Sequence, residues 1–312
     1  MQLGAKRWLL LAVLIAVGVS FLSSYLKRYY VGIAIDISIG IILAVSLNLI
    51  NGYTGQFSLG HAGLMAVGAF TSAKLTLELS SSMPPAAQPL LFAAAILVGG
   101  LAAALAGLAV GLPSLRLKGD YLAIVTLGFG EIIRVVFQNS PAFGAATGLS
   151  GIPNWTTLGW SLALAAVTVY VVTSVVHSTY GRGFLAVHDD EIAAGAMGIN
   201  PTRYKVTAFV IGAFFAGVAG ALYAHHKRFI SPTGFDFMKS IDIVVMVILG
   251  GMGNTVGVIL AAVLLTLLPE LLRGFADYRM IVYSLLIIGL MLTRPQGLFT
   301  FRRRETRGGA TN

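Results

Sequence analysis

Long apolar runs separated by short polar segments dominate the chain. A helix needs about 20 predominantly apolar residues to cross the roughly 30 Å hydrocarbon core of a bilayer. The apolar runs are 8–22, 31–50, 58–79, 90–112, 121–137, 162–176, 204–224, 241–249, 256–268 and 280–293. This pattern predicts an all-α polytopic membrane protein with about eight to ten transmembrane or re-entrant helices. We expect one transmembrane domain over 1–312.

The segment 51–70 interrupts this apolar pattern with glycine and polar residues. Its notable positions are Gly55, Gln56, Ser58, Gly60, His61 and Gly63. Backbone at membrane depth can be irregular only where protein buries it or where it lines a water-filled cavity, so the segment is a candidate substrate pathway. The alternative is that its glycines only let helices pack closely. His61 has no second ligand at i+3 or i+4, so it does not indicate a metal site.

A second glycine break lies near the other end of the chain, between the apolar runs 241–249 and 256–268. Its residues are Gly250, Gly251, Gly253 and Asn254. Interrupted hydrophobic segments at corresponding places in two halves of a chain indicate a transport site. We therefore assign this break to the candidate substrate pathway as well.

A charged island at 182–201 separates two apolar runs. Three acidic residues, Asp189, Asp190 and Glu191, suit the positive end of a helix dipole, which predicts a helix from about Asp189 to Gly198. Small residues and Met197 fill the rest of it and give a smooth face for another protein. An ordinary capped surface helix is the alternative.

Composition supports a membrane protein, since 57% of the residues are hydrophobic and only 11% are charged. The net charge of +9 follows from 21 basic and 12 acidic residues, and it indicates positive-inside topology rather than nucleic-acid binding. The basic tail at 294–312 and Lys6 with Arg7 place both termini in the cytoplasm. The island then lies inside and the uncharged loop 138–160 outside, but the basic cluster 225–228 also falls outside, against the rule.

Two further features concern chemistry. Glu131 and Arg134 are spaced to pair on one helix face, and we expect this pair to be structural. The chain has no cysteine and no Gly-Lys pair, so it has neither thiol chemistry nor a P-loop that cradles phosphate.

Four segments together carry a family resemblance. They are NGYTGQFSLGHAGLMAVGAF from Asn51, GDYLAIVTLGFGEIIRVV from Gly119, AVHDDEIAAGAMGIN from Ala186 and ILGGMGNTVG from Ile248. In this order the chain resembles the M-type permease subunit of branched-chain amino acid ABC importers. The resemblance implies a non-enzymatic permease that works by alternating access and itself binds no cofactor. One departure is that the family commonly has Thr-Gly-Gly where this chain has Thr147, Gly148 and Leu149.

The resemblance also implies partners and a coupling site. The partners are a homologous H-type permease, two ABC ATPase subunits and a periplasmic or extracellular substrate-binding protein, in the bacterial cytoplasmic membrane. A coupling loop at 177–204 would dock on an ATPase through Arg182, Ala186, Asp189, Asp190, Glu191, Ala193, Ala194, Met197 and Gly198. The family's Glu-Ala-Ala-x-x-x-Gly spacing fits Ala193, Ala194 and Gly198, whereas Glu191 is displaced by one place.

Other functions remain open at this point. Permeases for urea or short amides share much of the pattern. A passive channel would explain the glycine breaks without explaining the charged island. An intramembrane enzyme would need a catalytic constellation, and Ser58 with His61, or Glu131, does not form one by spacing.

Overall fold

The computed structural model describes residues 27–114 and 119–272 and a few positions between 281 and 289. The predicted first span at 8–22 and the basic tail at 294–312 lie outside the described residues, as does most of the predicted last span.

The described chain is almost entirely helical. Its helices are α1 Arg28–Asn48, α2 His61–Leu79, α3 Gln88–Ser114, α4 Asp120–Gln138, α5 Leu158–Val176, α6 Gly181–Asp189, α7 Glu191–Ala196, α8 Pro201–Lys227, α9 Phe237–Gly250 and α10 Thr255–Leu271. Two short strands, β1 Leu149–Ser150 and β2 Phe229–Ile230, pair antiparallel. The predicted all-α class is confirmed.

Five of the described segments are long and apolar enough to cross a membrane. They are Arg28–Tyr53, Pro85–Ser114, Tyr121–Gln138, Leu158–Val176 and Pro201–Lys227. Thr255–Leu271 is a shorter apolar helix. Together with the largely buried α2 and the short α9, these agree approximately with the expected eight to ten helices.

Small residues hold α2, α3 and α8 together at the centre of the bundle. A Cβ on Gly68 of α2 would lie 2.2 Å from the carbonyl oxygen of Gly217 on α8. A Cβ on Gly99 of α3 would lie 2.8 Å from the carbonyl oxygen of Gly68. Such approaches give van der Waals packing that lipid cannot replace, which is how small residues stabilise helix contacts in membranes.

The basic cluster at 225–228 has partners in the fold. His225 is fully buried, its Nε2 lies 3.0 Å from Thr76 Oγ1, and its ring stacks on Trp155. Lys227 Nζ donates to Asp36 Oδ2 at 2.9 Å. Arg228 ends α8 in the left-handed conformation, with φ of 63°. The cluster is therefore partly structural and partly neutralised by Asp36 of α1.

The predicted pair on α4 is confirmed. Arg134 Nε donates to Glu131 Oε2 at 2.7 Å, and both side chains are about one-quarter to one-third exposed (24% and 34%).

Candidate functional site

The first glycine break begins with a widened helical turn. After α1 the chain continues as a π-turn, Leu49–Tyr53, a feature that often occurs at functional sites. The carbonyl oxygen of Ile50 accepts from the amide of Gln56 at 3.1 Å and from Thr54 Oγ1 at 2.8 Å. Asn51 Oδ1 accepts from the amide of Ser58 at 3.2 Å. These bonds replace the helical ones that the break loses.

The second break is a glycine turn between α9 and α10. Gly251 and Gly253 have φ of 90° and 79°, values that residues with a Cβ rarely adopt. Asn254 Oδ1 caps α10 by accepting from the amide of Gly257 at 3.2 Å.

The two breaks are in direct contact. Asn48 Oδ1 accepts from the amide of Gly253 at 2.9 Å. The hydroxyl of Tyr53 lies 2.8 Å from Thr255 Oγ1, and a Cβ on Gly52 would lie 2.3 Å from the nitrogen of Gly253. We call these five residues the junction. It brings together the two interrupted segments that the sequence suggested were related.

Several buried polar atoms surround the first break without a hydrogen-bond partner among the described residues. They are Asn48 Nδ2, Gln56 Oε1, Ser58 Oγ and His61 Nδ1. Each belongs to a side chain that is at most 2% exposed. Buried polar atoms are normally satisfied by protein or ordered water, because leaving them unsatisfied costs free energy. A hydrated or ligand-binding interior fits this arrangement better than a dry helix contact.

The glycines predicted for the pathway lie at close helix contacts. A Cβ on Gly60 would lie 2.4 Å from the carbonyl oxygen of Thr126, and one on Gly63 would lie 2.7 Å from Cα of Gly130. A Cβ on Gly250 would lie 2.4 Å from Cα of Val258. The packing interpretation therefore holds for these three, and a pathway role for them stays a prediction.

The helix N-termini beside the breaks already have hydrogen-bond partners. The amide of Ala62 donates to Ser240 Oγ at 3.2 Å, and the amide of Gly257 donates to the Asn254 cap. His61 Nε2 lies 2.9 Å from Ser46 Oγ. A substrate carboxylate would have to displace such partners to bind at either terminus.

The charged island forms two helices instead of the one predicted from Asp189 to Gly198. α6 ends at Asp189, Asp190 is extended with φ of −155°, and α7 begins at Glu191. The cause is Asp190, whose carboxylate accepts from the amides of Ile192 and Ala193 at 2.8 and 3.0 Å and so starts a new helix.

The end of the island also differs in detail from the prediction. Gly198 has φ of 82° and follows the end of α7, as a stop signal should. The predicted helix ends at Ala196 instead of Gly198, and Asn200 and Pro201 begin α8. Asn200 Oδ1 accepts from the amide of Arg203 at 3.2 Å, and Pro201 is the first residue of the helix.

Two large apolar side chains, one in α7 and one at its C-cap, are exposed. Ile192 is 77% exposed and Met197 is 82% exposed, whereas Ala194 is only 5% exposed. Ala194 therefore contacts the chain itself. Of the other predicted coupling residues, Arg182, Asp189, Asp190, Ala193 and Gly198 are exposed, while Ala186 and Glu191 are half-buried.

The island and the first break lie against each other. A Cβ on Gly55 would lie 2.6 Å from His188 Nδ1 of α6. Gln56 Nε2 donates to the carbonyl oxygen of Lys205 at 3.3 Å, and Lys205 Nζ donates to Glu191 Oε2 at 2.8 Å. Sequence reasoning missed the contacts of Lys205 and His188 because both residues are far from the break along the chain.

We expect Glu191→Gln to destabilise the protein more than the same change at an exposed ion pair. Lys205 is only 7% exposed, so its ammonium would lose a charged partner that water replaces poorly. The expected loss is about 1–2 kcal/mol. Thermal unfolding of the purified protein measures it.

The matched control is Glu78→Gln, because the Lys74–Glu78 side chains are 36% and 59% exposed. Its effect should stay within about 0.5 kcal/mol. Equal effects of the two changes would contradict a structural role for the Glu191 pair.

The fold and the site define a class. A multi-pass helical protein with interrupted helices that meet in its interior, and with a polar island packed against one interruption, has the architecture of a membrane transport protein. The chain belongs to the family described as branched-chain amino acid transport system / permease component, whose model matches residues 29–293. It is a transport component rather than an enzyme.

Two kinds of curated relative are similar to the chain. The high-affinity branched-chain amino acid transport system permease protein LivM of Salmonella typhimurium is 37% identical over 96% of this chain and 76% of its own length. The LivM protein of Escherichia coli K12 is 36% identical over the same shares. The corresponding LivH protein of Escherichia coli K12 is 30% identical over 44% of each chain. No solved structure matches significantly.

Proposed function

We propose that this chain is one of two homologous permease subunits in an ATP-driven importer of branched-chain amino acids. The observation that carries this proposal is the 36–37% identity over 96% of the chain to LivM permeases. The weaker similarity to LivH supports a pair of related permeases. Leucine, isoleucine and valine are the proposed substrates.

In this proposal, other subunits hydrolyse ATP and deliver the substrate to the permease pair. They are two ABC ATPases and a periplasmic or extracellular substrate-binding protein, assembled with the pair in a bacterial cytoplasmic membrane. The loop 177–204 docks on an ATPase, and both chain termini lie on the same, cytoplasmic side. The exposed Ile192 and Met197 support this docking role, because neighbouring apolar side chains on a polar segment can bury area against another protein.

The contacts of the island suggest how ATPase movement reaches the pathway. Movement of α7 reaches Lys205 through its ion pair with Glu191. The carbonyl oxygen of Lys205 in turn accepts a hydrogen bond from Gln56. Gln56 lies three residues after the π-turn and its amide donates to Ile50 within that turn, so the first break moves with the start of α8. This is rigid-body coupling between packed elements, a common form of conformational switching.

Uptake into vesicles that contain this chain with its partner subunits tests the proposal. Labelled leucine should enter only when ATP and the binding protein are present, and labelled urea should not enter. Leucine uptake that does not need ATP would leave a passive channel. ATP-driven urea uptake without leucine uptake would overturn the proposed substrate class but support an ATP-driven importer.

A further inference from the structure

A cavity of about 390 Å³ lies between α1, α8, α9 and α10, away from the junction and the island. This volume is within the range of about 300–1,000 Å³ that is typical of small-molecule sites. Its lining combines four charged side chains with apolar ones, and neither the glycine breaks nor the coupling loop includes any of them.

The charges of the cavity are balanced: two form a direct ion pair, whereas Lys239 and Asp242 act on each other electrostatically without direct contact. Asp36 and Lys227 form an ion pair at 2.9 Å. Lys239 and Asp242 also line the cavity, and in the described ranges neither takes part in an ion pair within 4.0 Å. Lys239 Nζ lies 5.9 Å from the centroid of the Tyr223 ring. One cation and one anion are therefore available to a ligand that carries both charges.

Most of the remaining lining is aliphatic, and Tyr223 and Thr266 add two hydroxyl groups. Leu43, Ile243 and Leu265 are buried, and Met246 beside them is an adaptable apolar contact. A branched hydrocarbon side chain could lie on these four residues. Urea, which is small and uncharged, would use neither the aliphatic wall nor the two charges.

The cavity lies at the end of α8 that is opposite to the island. Lys205 near the start of α8 contacts the island, and Lys227 at its end lines the cavity. The two residues are separated by about 33 Å, since each helical residue rises about 1.5 Å. This distance is comparable to the thickness of a bilayer core, so the cavity and the island lie near opposite membrane surfaces.

We infer that this cavity is an outer entry site for a zwitterionic aliphatic α-amino acid. The Lys239 ammonium binds the substrate carboxylate, Asp242 binds the substrate ammonium, and the aliphatic side chain lies on Leu43, Met246 and Leu265. The inference rests on the proposed function for the side of the membrane and for the class of substrate.

Cysteine protection tests the site directly, because the chain contains no cysteine of its own. Thr266→Cys places a thiol of similar volume in the cavity lining. In the purified complex without ATP, leucine at ten times its dissociation constant should slow labelling of this thiol about ten-fold. Ser82→Cys, in the exposed loop between α2 and α3, is the control and should label at an unchanged rate.

Two ligand analogues separate charge recognition from simple apolar binding. 3-Methylbutylamine lacks the carboxylate and 4-methylpentanoate lacks the ammonium, so neither should protect at the concentration at which leucine does. Lys239→Gln and Asp242→Asn should each raise the half-protecting leucine concentration about ten-fold or more, because each removes one charge-assisted contact. Neither change breaks an ion pair within the described residues, so folding should be kept.

The outcomes distinguish this inference from the proposed function. If the wild-type complex takes up leucine with ATP but leucine does not protect Thr266→Cys, the entry site is wrong and the function stands. Equal protection by the two analogues would likewise overturn zwitterion recognition. If the same preparation shows no ATP-driven uptake of a branched-chain amino acid, the proposed function fails.

Discussion

Gly52→Ala is expected to abolish transport by forcing the junction apart. The new Cβ would lie 2.1 Å from Asn48 Oδ1 and 2.3 Å from the nitrogen of Gly253, far inside van der Waals contact. Moving Asn48 away breaks its hydrogen bond to Gly253 and leaves buried polar groups unpaired. Overpacking and the lost bond together should cost about 2–4 kcal/mol. Thermal unfolding and leucine uptake by the assembled complex measure the two effects.

Gly128→Ala is the matched control for this change. Gly128 lies within α4, and no heavy atom lies within 4 Å of the position that its Cβ would take. Alanine there should be neutral or stabilising by up to about 1 kcal/mol, since helical glycine is unfavourable. Full uptake and unchanged stability of the Gly52→Ala variant would contradict this prediction, because the junction could then separate without a loss of free energy.

The sequence predicted both breaks but not how they meet. Glycine and polar residues inside apolar runs are local signals, and they located the π-turn region and the Gly251–Gly253 turn correctly. The contact between Asn48 and Gly253 joins residues 205 positions apart. No periodicity or spacing encodes such a contact, because it depends on how four helices pack around the site.

The charged island shows how one side chain can change a helix boundary. The acidic run was interpreted as the first turn of a single helix, and Asp190 instead uses its carboxylate as a cap that separates two helices. Both interpretations suit acidic residues near a helix start, so local propensity could not choose between them. A face for another protein with Met197 as its apolar contact was predicted, whereas the exposure of Ile192 was not.

The sequence did not reveal the partners of the charged residues at the end of α8. The cluster at 225–228 contradicted the simple topology rule, and its acidic partner Asp36 lies 191 positions before Lys227. Lys239 and Asp242 belong to another helix again. These residues surround one cavity only in the folded chain, so the sequence alone could not predict that their charges balance there.

If the proposed docking on an ATPase is right, charged substitutions at the exposed apolar residues of α7 and its C-cap should uncouple the permease from that ATPase. Ile192 and Met197 are 77% and 82% exposed, so their side chains stabilise the chain little and are free to contact another protein. Ile192→Asp places an acid in the first turn of α7, and Met197→Lys places a base at its end, where both charges suit the helix dipole. Folding should therefore be preserved in both variants. Burying either charge in an apolar interface should cost about 2 kcal/mol or more, which weakens association roughly 30-fold.

Opposite charges make this test specific for apolar docking. If α7 fits an apolar groove, both variants should lose ATP-driven uptake and co-purification of the ATPase, while Ile192→Leu and Met197→Leu should keep them. Loss in only one of the charged variants would indicate that the sign of a partner charge matters instead. Normal coupling in both would exclude α7 as the docking element. Ala194 is less suitable for this purpose, because at 5% exposure a larger side chain there would disturb the permease itself.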